Sequence, residues 1–150
     1  CHLFSAVVMR ADPKKQNISE KLMNIVLWIC PVVSLYASAM VYSYALGYAI
    51  NAARAGTFLV GILFVVVGNY LPKCRQSYTV GIKLPWTLDD EDNWYHTHRF
   101  AGCVWMILGL AILIIGLLGS FPSVLLAAPI AAVVLPTVYS FLYAKRHGKA

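Results

Sequence analysis

This sequence predicts an all-α membrane fold, a polytopic helical bundle of four complete transmembrane helices plus a partial N-terminal one, on three observations. Only 12% of its 150 residues are charged and 60% are hydrophobic, whereas soluble domains carry about 25% charged residues. Mean hydropathy is +0.70, and the apolar residues fall in long blocks suited to ~30 Å of hydrocarbon at ~1.5 Å per residue, unlike the short periodic segments of a soluble core. The basic residues alternate: connectors 10–21, 47–56, 72–99, 119–123 and 144–150 hold four, one, four, none and three Lys or Arg. The positive-inside rule then predicts residues 10–21, 72–99 and the C-terminus on the cytoplasmic side of the membrane. The net charge of +6 reads as topology control and attraction to anionic membrane lipids rather than direct nucleic-acid binding.

Residues 1–9, CHLFSAVVM, are too short to span and read as the end of a truncated membrane helix. With the polar loop that follows they make a first segment, 1–21, and residues 22–150 make the membrane domain. Asn17 or Ser19 can cap the span Leu22–Leu46, which Pro31 should kink. Gly47–Gly56 is a connector. Thr57–Leu71 is short for a span, and lengthens backwards through Ala52 and Ala53 if Arg54 snorkels to the headgroups. Pro72–Thr97 is hydrophilic, Phe100–Leu118 spans, GSFPS turns the chain, and Val124–Tyr143 returns past Pro129 and Pro136. Gly102, Gly109 and Gly116 stand seven apart and mark a face for close helix packing. Cys1, Cys30, Cys74 and Cys103 form no C-x-x-C pair and are expected as free thiols.

One connector concentrates the polar chemistry. GIKLPWTLDDEDNWYHTHR, 81–99, holds four of the six acids, two of the four tryptophans and two of the four histidines. Pro85 pushes Leu84 toward extended geometry, so a helix is predicted from near Thr87, with Thr87 as its N-cap and Asp90 three residues on. Asp89, Asp90, Glu91 and Asp92 would lie solvated in the first turn, favoured by the helix dipole and open to a partner. Trp94, His98 and Gly102 share a helix face; Pro85–Trp86 should fold back beside this helix, and at Gly102, which has no side chain, Trp86 or a neighbouring helix can approach closely. Tyr95 suits interfacial anchoring. Arg99 can hold Asn69, a carbonyl ending the preceding span, or a lipid phosphate.

Other chemistry is poorly supported. His96 and His98 point about 200° apart on a helix; Asp92 with His96 falls short of the three or four ligands zinc takes. No metal or cofactor is expected. The chain has no G-x-S-x-G, H-E-x-x-H or Walker loop, and no acid inside a span, which argues against a hydrolase and an ion-coupled pump. A polar path for a small transporter could still use Ser34, Ser38, Tyr42, Tyr44 and Asn69.

The stretch from 68 to 102 resembles the signature of the SdpI family of bacterial immunity proteins. The matching positions are Gly68, Asn69, Pro72, Gly81, Ile82, Lys83, Pro85, Trp86, Thr87, Leu88, Trp94, Thr97, His98, Arg99 and Gly102. The resemblance covers roughly residues 57–143. It implies a non-enzymatic membrane protein that protects against a secreted, membrane-active toxin peptide. It also implies signalling, in which a cytoplasmic transcriptional repressor is held at the membrane. The competing expectation is a small transporter or lipid-handling component gated by residues 81–99.

Overall fold

The computed structural model of the chain describes residues 20–48, 50–78, 80–119 and 122–147. The helix end at 1–9, the caps at Asn17 and Ser19, and residues 120–121 of the GSFPS turn lie outside them. All regular structure among the described residues is helical: α1 (Glu20–Ala45), α2 (Ala52–Tyr70), a 3-10 turn (Leu71–Lys73), α3 (Pro85–Asp89), α4 (Glu91–Leu118) and α5 (Pro122–Arg146). Four helices are long and apolar enough to cross a membrane, over Asn24–Ala45, Ala52–Lys73, Glu91–Leu118 and Leu126–Arg146. The predicted fold class holds: this is a membrane helical bundle.

Local chemistry explains the element boundaries. α2 begins at Ala52, the backward extension that a short apolar run required, and Asn51 caps it by accepting the Arg54 backbone N–H at 3.0 Å. α4 ends at Gly119, whose φ of 81° is the left-handed conformation common after a helix end. α1 continues through Pro31, and Val26 and Leu27 near its start pack against Cys74. Much of the rest of α1 is bare, with Leu35 74% and Tyr44 83% exposed, as suits a lipid-facing helix.

α2 and α4 run antiparallel along a seam of small residues. Thr57 meets Gly116, Gly61 meets Gly109 and Leu113, and Gly68 meets Gly102 and Met106. The seven-residue glycine spacing on α4 is thus one packed face. Contact is closest at Gly102, where an added Cβ would stand 2.5 Å from Pro72 Cγ and 2.7 Å from the Gly68 carbonyl oxygen. Lipid removes the hydrophobic drive between helices, so close backbone approach and dispersion must supply the association.

α5 returns antiparallel to α4, and Trp105 ties three helices together. Its ring stacks on Phe64 of α2 with centroids 4.8 Å apart. Its indole N–H donates to the Ala132 carbonyl of α5 at 3.0 Å. Ala132 lies four residues before Pro136, which has no N–H to offer it. Trp105 therefore closes the backbone acceptor that a proline inside a membrane helix leaves open.

Two predictions follow from this packing. Gly102→Ala should lower the thermal midpoint of the purified protein, by about 1–3 kcal/mol of overpacking, whereas Gly56→Ala, with nothing within 4 Å of its added Cβ, should be neutral or mildly stabilising. Unchanged stability in Gly102→Ala would refute the tight seam. Trp105→Phe should cost about 1 kcal/mol for its lost hydrogen bond, and less when Pro136→Ala restores a backbone donor to Ala132. Equal costs in the two backgrounds would show that Trp105 acts through its ring alone.

Candidate functional site

Between α2 and α4 the chain folds into a cap on one end of the bundle, and buried polar groups hold it. Pro85 starts the short helix α3 at its first position, where a missing N–H costs nothing. Thr87, fully buried, sits at the third position. Its Oγ1 accepts the Leu84 backbone N–H at 2.9 Å and lies 3.0 Å from the Ile82 carbonyl oxygen, to which it can donate. Thr87 thus closes the helix start from inside. The helix end is closed by Gln76, whose Nε2 donates to the carbonyls of Thr87 at 3.0 Å and Leu88 at 2.7 Å.

This corrects the expectation of one helix capped by Thr87 and running into the span. Asp90, with φ −131° and ψ 112°, breaks the chain between α3 and α4. Asp90 is itself the α4 N-cap, its carboxylate accepting the Asp92 N–H at 3.2 Å. At 9% exposure it is not the solvated acid expected. Asp89, Glu91 and Asp92 are exposed.

Trp94 and His98 form the floor, one helical turn apart with rings stacked at 4.1 Å. The Trp94 indole N–H donates to the Cys74 carbonyl at 2.9 Å. His98 Nδ1 lies 2.8 Å from the Trp94 carbonyl oxygen, and its Nε2 accepts the Ile82 backbone N–H at 2.9 Å. A carbonyl can only accept and an amide N–H only donate, so these partners assign the neutral tautomer with the proton on Nδ1. Gly81 allows the approach: its φ is +125°, and a Cβ there would stand 2.6 Å from His98 Nε2 and from the Trp94 ring. Both the conformation and the space require glycine.

A second knot joins the cap to α5. Asn93, fully buried, accepts at Oδ1 from Thr97 Oγ1 at 2.8 Å and from Ser140 Oγ at 2.9 Å, and donates to the Ser140 carbonyl at 3.2 Å. Trp86 Nε1 donates to Ser140 Oγ at 3.0 Å, and its ring meets Phe141 edge-on at 5.6 Å. Trp86 therefore docks on α5. Of the two approaches expected at Gly102, the one made is that of the neighbouring helix, through Gly68 and the Pro72 that follows α2.

Arg99 does not hold Asn69. Its Nη1 donates to the Tyr95 hydroxyl at 3.0 Å, while the Asn69 amide oxygen pairs with Lys73 Nζ at 3.5 Å. A cleft of about 520 Å³ opens beside Tyr95, lined by Pro72, Lys73, Cys74, Arg75, Gln76, Glu91 and Trp94. Burial pushes the Cys74 thiol up to about 11, so at neutral pH it stays protonated and a poor nucleophile. Among the described residues no group of three or more His, Cys, Asp or Glu side chains is placed to hold a metal ion.

The structure brings together Gly68, Pro72 and Gly102 at the seam, Gly81, Trp94 and His98 at the floor, and Trp86 and Thr97 around Asn93. It does not gather the polar residues suggested for a transport path. Ser34, Ser38, Tyr42 and Tyr44 are exposed on α1, and Asn69 stands at the end of α2. Sequence reasoning missed Gln76, Asn93, Ser140 and Trp105. The four-residue spacing of Asn93 and Thr97 was a signal for one of them; a lone serine in an apolar run gave little for Ser140.

Comparison with known proteins agrees with this architecture. Residues 73–140, which include the whole cap from Cys74 to α3, match the SdpI/YfhL protein family. The chain is 30% identical over 129 residues to the immunity protein SdpI of Bacillus subtilis strain 168, an alignment covering 83% of this chain and 58% of that protein. It thus spans little more than half the length of that relative. No solved structure matches it. Its four apolar helices make the chain a multi-pass membrane protein, and by these matches it belongs to the SdpI/YfhL family.

Proposed function

We propose that this chain is a non-enzymatic immunity protein of the bacterial cytoplasmic membrane, with its cap and C-terminus facing the cytoplasm. In this reading it binds a secreted, membrane-active toxin peptide and signals by capturing a cytoplasmic transcriptional repressor at the cap. Similarity to an immunity protein supports the first part. The observation that carries the second is the distribution of charge on the cap. Thr87, Asn93, Thr97 and His98 are buried, while Asp89, Glu91 and Asp92 stand exposed at the α3–α4 junction. A repressor carries a basic surface for DNA phosphates, and a fixed acidic edge complements it.

The orientation rests on the alternation of basic residues between connectors. Cys74 cannot report on it, being 7% exposed with its thiol pushed up to about 11. With the other cysteines replaced, Cys74 should resist maleimide from either side of the membrane until the protein is denatured. An Asp89→Cys variant that also lacks Cys74 should label only after the cells are permeabilised. Labelling of intact cells by an impermeant reagent would reverse the proposed orientation.

Function is tested in a toxin-sensitive strain expressing the full-length parent of the chain. Survival against the cognate peptide should rise while the peptide stays intact; destruction of the peptide in proportion to protein level would sink the non-enzymatic reading. Asp89→Asn with Asp92→Asn should leave the folded protein and survival near normal and weaken repressor recruitment several-fold. Normal recruitment by that double variant would remove the acidic edge from the mechanism.

A further inference from the structure

The cleft beside Tyr95 carries both signs of charge. Lys73, Arg75 and Glu91 line it together with the rings of Trp94 and Tyr95. Among the described residues, no hydrogen bond or ion pair joins the Arg75 and Glu91 side chains to each other or to a neighbour. Pro72 rests on Gly102, just inside the apolar run that begins at Phe100. Lys73 therefore leaves the backbone at the hydrocarbon edge. Glu91 lies nine residues before Phe100 on α4, about 14 Å farther from the hydrocarbon at ~1.5 Å per residue. The long side chains of Lys73 and Arg75 can reach outward along the cleft toward the headgroup layer. Lys73 thus begins near the membrane edge and the Glu91 carboxylate stands beyond it.

We propose that this cleft binds the headgroup of an ethanolamine phospholipid. Its phosphodiester lies against Lys73 and Arg75 by charge-assisted hydrogen bonds, and its primary ammonium lies outward against Glu91 and the Tyr95 ring. The order along the cleft is that of the lipid itself, acyl chains in the hydrocarbon, then phosphate, then ammonium. The three N–H donors of a primary ammonium suit a carboxylate that makes no ion pair among the described residues. A choline headgroup has no N–H to donate, and a glycerol headgroup has no cation for Glu91. The volume of about 520 Å³ falls within the usual range for small-molecule sites, about 300–1,000 Å³. The cleft shares Glu91 with the acidic edge proposed for repressor capture, and its readout is lipid retention alone.

Native mass spectrometry of the full chain in detergent, titrated with dioleoyl ethanolamine, choline and glycerol phospholipids, tests it. Ethanolamine lipid should be retained at about tenfold lower concentration than the other two, a difference of about 1.4 kcal/mol. Lys73→Gln with Arg75→Gln should abolish that retention. Glu91→Gln should keep binding but erase the preference for ethanolamine over choline. Equal or stronger retention of the glycerol lipid would overturn the proposal, as would an unchanged preference in Glu91→Gln. Glycerophosphoethanolamine, the same headgroup without acyl chains, should compete only weakly. Competition at the concentration of the intact lipid would assign the cleft to a soluble ligand and overturn its assignment to lipid.

Discussion

Cap and bundle become one body where polar groups at the edge of the hydrocarbon find partners, and the Asn93 amide is the point at which those pairings meet. It joins Thr97 on its own helix to Ser140 on α5, and Ser140 in turn receives the Trp86 indole from α3. At this depth an open donor or acceptor is expensive, costing about 1–3 kcal/mol even in a protein interior. Among the described residues, no buried side-chain nitrogen or oxygen lacks a partner. The cap's position follows from that completeness. Rotating α5 would break the bonds to Asn93, and lifting α3 would leave Ser140 without its indole donor.

The floor repeats the same physics with backbone groups. The chain crossing above α4 has amides and carbonyls that neither helix nor sheet can satisfy, and side chains from α4 supply the missing partners. Trp94 serves the Cys74 carbonyl and His98 serves the Ile82 amide. Trp105 does likewise for the Ala132 carbonyl that Pro136 leaves open. In each case an aromatic ring system contributes stacking area and one directed polar atom. Such residues fit a place that is apolar on one side and polar on the other.

What the sequence disclosed follows from what has a period or a local rule. Spans, the backward extension of α2 through Ala52, and the glycine seam on α4 were legible because helical spacing and hydropathy act over short range. The α3–α4 break was not. Four successive acids look like one solvated helix start, yet Asp90 is turned in to cap α4 because Gln76 already closes α3 from eleven residues away. The space at Gly102 was legible as open to Trp86 or to a neighbouring helix, and α2 fills it through Gly68 and the Pro72 that follows. Arg99 donates to the Tyr95 hydroxyl one turn away, and Asn69 pairs with Lys73 instead. The partners that decide these cases lie 47 to 54 residues off in Ser140 or in the irregular segment after α2, where no periodicity exists to read.

The division between a paired interior and a charged outer surface also explains why so many acids sit in one connector of a basic chain. If the segment faces the cytoplasm, its four Lys and Arg serve topology, and Lys73 and Arg99 also make a hydrogen bond each, to Asn69 and to Tyr95. Acids placed on the same segment cost little in orientation, because the positive-inside rule counts Lys and Arg rather than net charge. They can therefore cluster without reversing the bundle. At the α3–α4 junction they gain a helix start that favours negative charge, and one of them is turned inward as a cap. The remaining three keep their hydration and their reach. A rigid cap with buried amides beneath and carboxylates above can present charge to a neighbour without moving the helices that carry it.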